Sequence, residues 1–287
     1  MDKLPLISIV TVVYNDAKNI ENTIVSVLNQ NYPFIEYIVI DGNSTDGTVE
    51  IINKYSGKLA CAISEPDSGI YYAMNKGVEN ASGEWIHFLN SGDTYCNPDI
   101  LSAIFNNKES CLTPSVSDGS RYTYYELTHE DADLIYGDIV LKYPFGMVRM
   151  DCSPDNGEHL LVRHPCCFIK TSVMKKYKYD TQYKISADSC FFSVCKNNNL
   201  RFQHIPLCIT VFDSYSGLSS KNKIISYIED MQISNVKKNS PKWLKGYIKS
   251  YMFYVIQKIS PTAYGKFACF VKRDRIKKYS GTTPATK

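Results

Sequence analysis

Apolar and β-branched positions run almost unbroken through Ile7-Ser8-Ile9-Val10-Thr11-Val12-Val13, the pattern of a strand buried on both faces. Tyr14-Asn15-Asp16 ends it. The period then lengthens, with Ile20, Ile24, Val27 and Leu28 at helical spacing until Asn31-Tyr32-Pro33 stops the run. A second strand, Glu36-Tyr37-Ile38-Val39-Ile40, leads into Asp41-Gly42-Asn43-Ser44-Thr45-Asp46-Gly47-Thr48. In this turn-rich loop Thr45 or Asp46 is a good N-cap for a helix from Val49 to Tyr55. Leu59 to Ser64 predicts a third strand, followed by Glu65-Pro66-Asp67-Ser68-Gly69; Ile70, Ala73, Met74 and Val78 mark a helix that closes near Gly83. Trp85 to Leu89 is the fourth strand, cut off abruptly by Asn90-Ser91-Gly92-Asp93.

Strand–helix alternation of this kind requires crossover connections, so the expected fold is α/β, a Rossmann-like, doubly wound and mostly parallel sheet. Such a sheet binds ligands at the carboxyl ends of its strands, where this sequence places Tyr14, Asp16, Asp41, Asp67 and Asp93. Acidic groups suit a phosphate-bearing ligand only if some accept from ribose hydroxyls or base N–H groups and a divalent cation neutralises the phosphates. For Asn90 to Asp93 the plain alternative is a polar turn after a strand. The first strand is followed neither by Gly-x-Gly-x-x-Gly nor by a Gly-Lys-Ser/Thr loop, which disfavours dinucleotide binding and P-loop chemistry.

Beyond Asp93 the periodicity weakens. Residues 106–132 are polar with Pro, Gly and Ser and read as a surface insertion or mobile loop, and Asp133 to Ile139 as a further strand. His164-Pro165-Cys166-Cys167 brings metal-ligand types together, but the spacing does not match a zinc site, and two buried cysteines in a strand is the preferred reading. Asp188 stands just ahead of an apolar helical run; it is either a first-turn acid favoured by the helix dipole or a general base facing a cleft. From Pro241, Trp243, Tyr247, Tyr251 and Tyr254/Val255 fall on one helical face, with Lys242, Lys245 and Lys249 on another. This reads either as a helix packed on the domain or as an interfacial helix, aromatic side down on an anionic membrane. The expected divisions are a ligand-binding α/β half over 1–105, a second half of the same domain over 106–235, and a helical basic and aromatic tail over 236–287.

Charge sharpens that last point. Residues 242–278 carry ten Lys/Arg against one Asp, and with Lys287 this leaves about −7 on residues 1–241 within a total of +3. A basic tail on an acidic body points to a polyanionic surface for the tail alone and away from nucleic acid in the crevice. The ten cysteines show no framework or Cys-x-x-Cys pair, and no cleavage site or span precedes the first strand. The expectation is reduced cysteines in a cytoplasmic protein.

Ser8 to Asn15, followed by Ile40-Asp41-Gly42-Asn43-Ser44-Thr45-Asp46-Gly47-Thr48, resembles the opening of family 2 glycosyltransferases with the A-type nucleotide-sugar-transferase fold. Glu65-Pro66-Asp67-Ser68-Gly69-Ile70-Tyr71-Tyr72-Ala73-Met74-Asn75-Lys76-Gly77 and Phe88 to Asp93 are similar to the branch that builds bacterial surface polysaccharides, such as O-antigen or capsule. The resemblance implies a donor site of Thr11, Tyr14, Asn15, Asp41, Asp67, Ser91 and Gly92, with Asp41 accepting from uracil if the donor is a UDP-sugar. It implies Asp93 as ligand of Mg²⁺ or Mn²⁺, His164 on the acceptor side, Asp188 as catalytic base, and residues 213–219 as a closing loop. Two departures stand out: Asn90 or Ser91 replaces the first Asp of the Asp-x-Asp motif, and Tyr72 stands where the branch commonly has Asp. The implied activity is inverting transfer of a sugar to a lipid-linked saccharide, by a protein peripheral on the inner face of the cytoplasmic membrane. A sugar-nucleotidyltransferase and a non-catalytic nucleotide-sugar-binding protein are the alternative readings.

Overall fold

A computed structural model describes residues 4–106, 131–154, 162–214, 217–271 and 276–278 of the chain. Its first half carries strands β1 (Ile7–Val13), β2 (Ile35–Asp41), β3 (Cys61–Ser64) and β4 (Trp85–Phe88). The crossovers are helices α1 (Ile20–Leu28), α2 (Thr48–Lys54) and α3 (Ile70–Asn80). β1 pairs in parallel with β2 and β4, and β2 with β3, giving the spatial order β3-β2-β1-β4. The order reverses between β1 and β4, which makes the crevice beyond their carboxyl ends the switch point where open α/β sheets take ligands. All seven residues of β1 are buried, as the unbroken apolar run requires.

The second half extends the same sheet with a different grain. It contains β5 (Thr94–Tyr95), α4 (Ile100–Phe105), β6 (Leu134–Tyr143), β7 (Gly146–Met150), β8 (Cys167–Lys170), α5 (Thr171–Tyr177), α6 (Ala187–Asn197) and β9 (Phe202–Asp213). β8 pairs antiparallel with both β4 and β6, β6 forms an antiparallel hairpin with β7, and β9 runs parallel to β6 and antiparallel to β5. Cys166 and Cys167 are fully buried at the start of β8, and none of the nine described cysteines is in a disulfide. The insertion expected over 106–132 lies mostly outside the described residues.

Helices α7 (Leu218–Lys221), α8 (Lys223–Ile233), α9 (Pro241–Ile259) and α10 (Pro261–Val271) follow, and β10 (Ile276–Lys278) adds to the sheet edge at β7. Of the two readings of α9, the structure shows the helix packed on the domain through its aromatic face. Trp243 is buried and stacks on Tyr247 at 5.0 Å with 9° between ring planes. Both rings meet Tyr227 of α8, whose hydroxyl donates to the Trp243 carbonyl. Gly246 permits this approach, because a Cβ there would collide with the Tyr227 ring. The outward face is instead aliphatic, with Leu244, Ile248, Tyr251, Met252 and Ile259 exposed beside exposed Lys242, Lys245 and Lys249. Aromatic residues four apart found a third aromatic partner on α8, and that contact set the helix phase. No helix among the described residues is long and apolar enough to cross a membrane.

Candidate active site

The loops after β1 and β2 are stitched together by side chains. Asn15, in the left-handed region at φ 49°, donates its backbone N–H to Ser44 Oγ (2.7 Å) and accepts from Thr45 N–H at Oδ1 (2.9 Å). Asp46 takes the N–H groups of Ala17 and Thr48, fixing the entry to α2. Tyr14 is 66% exposed and lies over Gly42, where a Cβ would stand 3.3 Å from the ring. An aromatic plate therefore lies open beside the tip of β2.

Asp41 is buried at that tip. Its Oδ2 accepts from Ser44 N–H (2.9 Å) and Ser64 Oγ (2.6 Å), while Oδ1 is buried with no partner among the described residues. Asp67 repeats the arrangement: Oδ1 meets Lys76 Nζ at 2.8 Å, and Oδ2 is buried and unpartnered. Lys76 also reaches Glu65 at 2.6 Å. Buried carboxylate oxygens are ordinarily satisfied, so two orphans at neighbouring strand ends stand out among the described residues.

The turn after β4 is tied to α1. Thr23 donates its hydroxyl to the Asp93 carbonyl (2.8 Å) and accepts from Gly92 N–H (3.0 Å), and Ser91 donates to Asp16 Oδ2 (2.6 Å). The Asp93 side chain lies beneath this turn, 4% exposed. Burial pushes its carboxyl well above the usual range; a hydrogen bond from the Asp213 backbone opposes this, and the charges of Asp213 and Asp16 add to the rise.

Across the crevice, Asp188 sits in the first turn of α6. Its Oδ2 faces His164 Nδ1 at 3.2 Å, and its Oδ1 accepts from Ser189 N–H (2.9 Å) with the Tyr71 hydroxyl at 3.2 Å. The Tyr71 hydroxyl also donates to the Ile185 carbonyl at 2.7 Å. Burial would raise the Asp188 carboxyl, but the hydrogen bond and charge of His164, then the Ser189 N–H and Tyr71, hold it below the usual range. The carboxylate is thus ionised, partly open to the crevice and held from three sides. His164 Nε2 in turn meets Asn90 Nδ2 at 3.3 Å, joining the turn after β4 to α6.

Among the predicted residues, Asn15 and Asp41 are joined through Ser44, the turn Asn90 to Asp93 is tied to Asp16, and Asn90, His164 and Asp188 are in hydrogen-bond contact. Thr11 is a correction. It is fully buried within β1, and its hydroxyl donates to the Leu89 carbonyl (2.7 Å) beside the Tyr37 hydroxyl (3.0 Å), so it braces two strands and cannot touch a donor. Likewise the Ser91 hydroxyl and the Gly92 amide are already engaged, by Asp16 and Thr23. Tyr71 escaped the sequence reading in favour of its neighbour Tyr72, which is exposed. The spacing Tyr71, Met74, Val78 (i, i+3, i+7) was the signal that Tyr71 faces inward.

Among the described residues, Asp138, Asp151 and His204 offer donor atoms within 4.8 Å of one another, a spacing that a metal ion can bridge. Asp138 is, however, already engaged: Oδ2 takes Arg149 Nη2 (2.6 Å) and Nε (3.1 Å), and Oδ1 takes Cys152 N–H (2.9 Å) and faces His204 Nε2 at 3.1 Å. An ion there would have to displace the guanidinium.

Known proteins share this architecture. A mannosyltransferase from Pyrobaculum calidifontis, solved with GDP-Man and Mn2+, superposes with a TM-score of 0.58 at 13% identity over 98% of this chain and 77% of its own. TarS from S. aureus, solved with UDP-GlcNAc, gives 0.57 at 18% identity over 86% and 72%. These likenesses establish the A-type glycosyltransferase fold. In sequence, an uncharacterized glycosyltransferase of Mycobacterium tuberculosis is 40% identical over 103 residues, spanning 36% of this chain but only 39% of the relative. A PGL/p-HBAD biosynthesis glycosyltransferase of Mycobacterium bovis is 26% identical over 75% of this chain and 80% of its own length. TuaG of Bacillus subtilis, whose name assigns it to teichuronic acid biosynthesis, is 39% identical over 37% and 44%. The family description "Glycosyl transferase family 2" matches residues 8–171, which spans β1 to the start of α5 and takes in the loops after β1, β2 and β3, the turn after β4 and His164. The chain belongs to glycosyl transferase family 2.

Proposed function

We propose that the protein is an inverting glycosyltransferase that moves a sugar from a nucleoside diphosphate to a hydroxyl of a saccharide. The observation that carries this reading is the pair of unpartnered buried oxygens, Asp41 Oδ1 and Asp67 Oδ2, beside the exposed Tyr14 ring. Tyr14 stacks on the base, Asp41 accepts from a base N–H, and Asp67 accepts from the ribose. A carboxylate acceptor at the base favours uracil, whose N3 carries a proton, over cytosine, whose N3 does not. Asp41→Asn is expected to weaken UDP binding by roughly 10–100-fold, the worth of a hydrogen bond to a charged group, in isothermal titration. Equal affinity of the variant, or of wild type for UDP and CDP, would remove Asp41 from the base site.

Asp188 then takes the proton of the acceptor hydroxyl as that oxygen attacks the anomeric carbon opposite the departing diphosphate. Residues 1–105 form the donor half and 106–235 the acceptor half, with His164 on the acceptor side. A divalent cation, Mg²⁺ or Mn²⁺, would be held by Asp93, which has the carboxylates of Asp16 and Asp213 as charged neighbours. Bound there, it would neutralise the leaving diphosphate.

The acceptor is proposed to be lipid-linked, in the making of a surface polysaccharide at the inner face of the membrane. Support comes from the names of the relatives and from α9, whose exposed Leu244, Ile248, Met252 and Ile259 lie beside lysines in the manner of an interfacial helix. Replacing Ile248 and Met252 together by Glu should lower flotation with anionic vesicles by at least about tenfold, since each apolar side chain is worth roughly 1.5–3 kcal/mol on burial. Unchanged flotation, with the circular dichroism spectrum retained, would take the membrane role from this face.

A further inference from the structure

His164 lies between two side chains of fixed character. An amide NH₂ group only donates, so the contact of Asn90 Nδ2 with His164 Nε2 at 3.3 Å makes Nε2 the acceptor. The ring proton is then at Nδ1, 3.2 Å from Asp188 Oδ2, where it donates to the carboxylate. The opposite ring tautomer would set a lone pair against that carboxylate. Asn90 occupies the first position of the Asn-Ser-Gly-Asp turn, on the donor side of the crevice, and its Oδ1 has no partner among the described residues.

We infer that Asn90 is a positioning residue for the catalytic base: its amide donates to His164 Nε2, which leaves the Nδ1 proton facing Asp188, and the ring so held orients the carboxylate. This deepens, and rests on, the reading of Asp188 as general base. The chemistry explains why an amide rather than a carboxylate suits position 90. A carboxylate 3.3 Å from Nε2 would face His164 opposite Asp188, and an imidazole between two anions holds a second proton. The resulting imidazolium would stabilise the ionised form of Asp188 and so weaken it as a base.

The other titratable groups near the site are set by burial and by one another. From β4, the His87 ring is fully buried and driven down to about 3 by burial, so it is neutral, bonded to the Tyr95 hydroxyl and the Pro165 carbonyl. Tyr71 from α3, and Tyr179 from the segment before α6, are pushed well up by burial and by the Asp188 charge, so both keep their protons. Arg163 adjoins His164 in sequence and attracts Asp230 of α8. The Asp230 carboxyl is raised by burial, lowered by a Ser186 hydrogen bond and raised again by Asp188 and Glu229.

The decisive measurement is the ¹⁵N spectrum of histidine-labelled full-length protein across pH, with the His164 signal identified by its loss in His164→Gln. In the wild type the neutral form of the ring should carry its proton at Nδ1. Asn90→Asp should raise the His164 titration midpoint by at least about one pH unit, the usual effect of an opposite charge within hydrogen-bond distance. Release of UDP from UDP-GlcNAc and UDP-glucose in water should in parallel fall about tenfold at pH 7 and recover as pH rises through that new midpoint. A ring protonated at Nε2 in the wild type, or a midpoint that Asn90→Asp leaves in place, overturns the inference. If Asp188→Asn releases UDP as fast as wild type, the base reading itself fails. If it does not and the midpoint stays put, only the role of Asn90 is lost.

Discussion

Asp188→Asn is expected to slow sugar transfer by roughly 10²–10⁴-fold, the range supplied by a general base, while UDP binding stays within about twofold of wild type. The two effects separate because the groups stand apart in the chain and in the site. The proposed donor contacts come from the loops after β1, β2 and β3, whereas Asp188 belongs to α6 and touches His164, Tyr71 and the Ser189 amide. The amide keeps the size of the carboxylate and can still accept from His164 at its oxygen, so the local frame survives. What it lacks is a lone pair basic enough to take the acceptor's proton. Turnover measured as UDP release in the presence of acceptor, set beside UDP affinity by titration, separates chemistry from binding. If turnover were near wild type, Asp188 would be a first-turn acid and nothing more.

Arg149→Met should destabilise the fold by about 3–5 kcal/mol, the cost of breaking a buried ion pair from one side. Asp138 is 1% exposed and its Oδ2 is held by two guanidinium nitrogens of Arg149, itself only 15% exposed. Methionine fills part of the vacated volume but offers no donor, leaving a buried oxygen charged and unmatched. His204 and the Cys152 amide still serve Oδ1, which places the expected value toward the low end of the range. Denaturant unfolding reads it directly. The double variant Asp138→Asn with Arg149→Met should recover part of the loss, because the stranded charge is gone. A cost below about 1 kcal/mol would mean that water or another group reaches Oδ2.

The first half of the chain was legible because each element announces itself locally. The run Ile7 to Val13 has no polar face to offer solvent, and the loops that follow the strands contain the residues that stop them. The tips were legible for the same reason, since Asp41 directly follows an apolar run and Asp67 and Asp93 stand in the short polar turns that end the next two. Contacts across the sheet were not. Nothing in the spacing of Asn90, His164 and Asp188 declares that strand pairing will set them in a row, because β8 reaches β4 through a long connection and in the opposite direction. Thr11 misled for a related reason: its place in a familiar motif suggested a ligand contact, whereas its position inside a strand buried on both faces left it only other strands to bond. On α9 the periodicity correctly gave an amphipathic helix with an aromatic stripe. Which stripe turned inward depended on Tyr227, a residue of another helix.

The pairing of β4 has a consequence for how the enzyme can work. This one strand is hydrogen-bonded on one side to β1, whose end begins the nucleotide rim, and on the other to β8, which begins just after His164. The two halves are therefore leaves of a single bound page, with no hinge along the spine. The distance between the loops after β1 and the segment that leads into β8 is ruled by strand spacing, fixed when the protein folds.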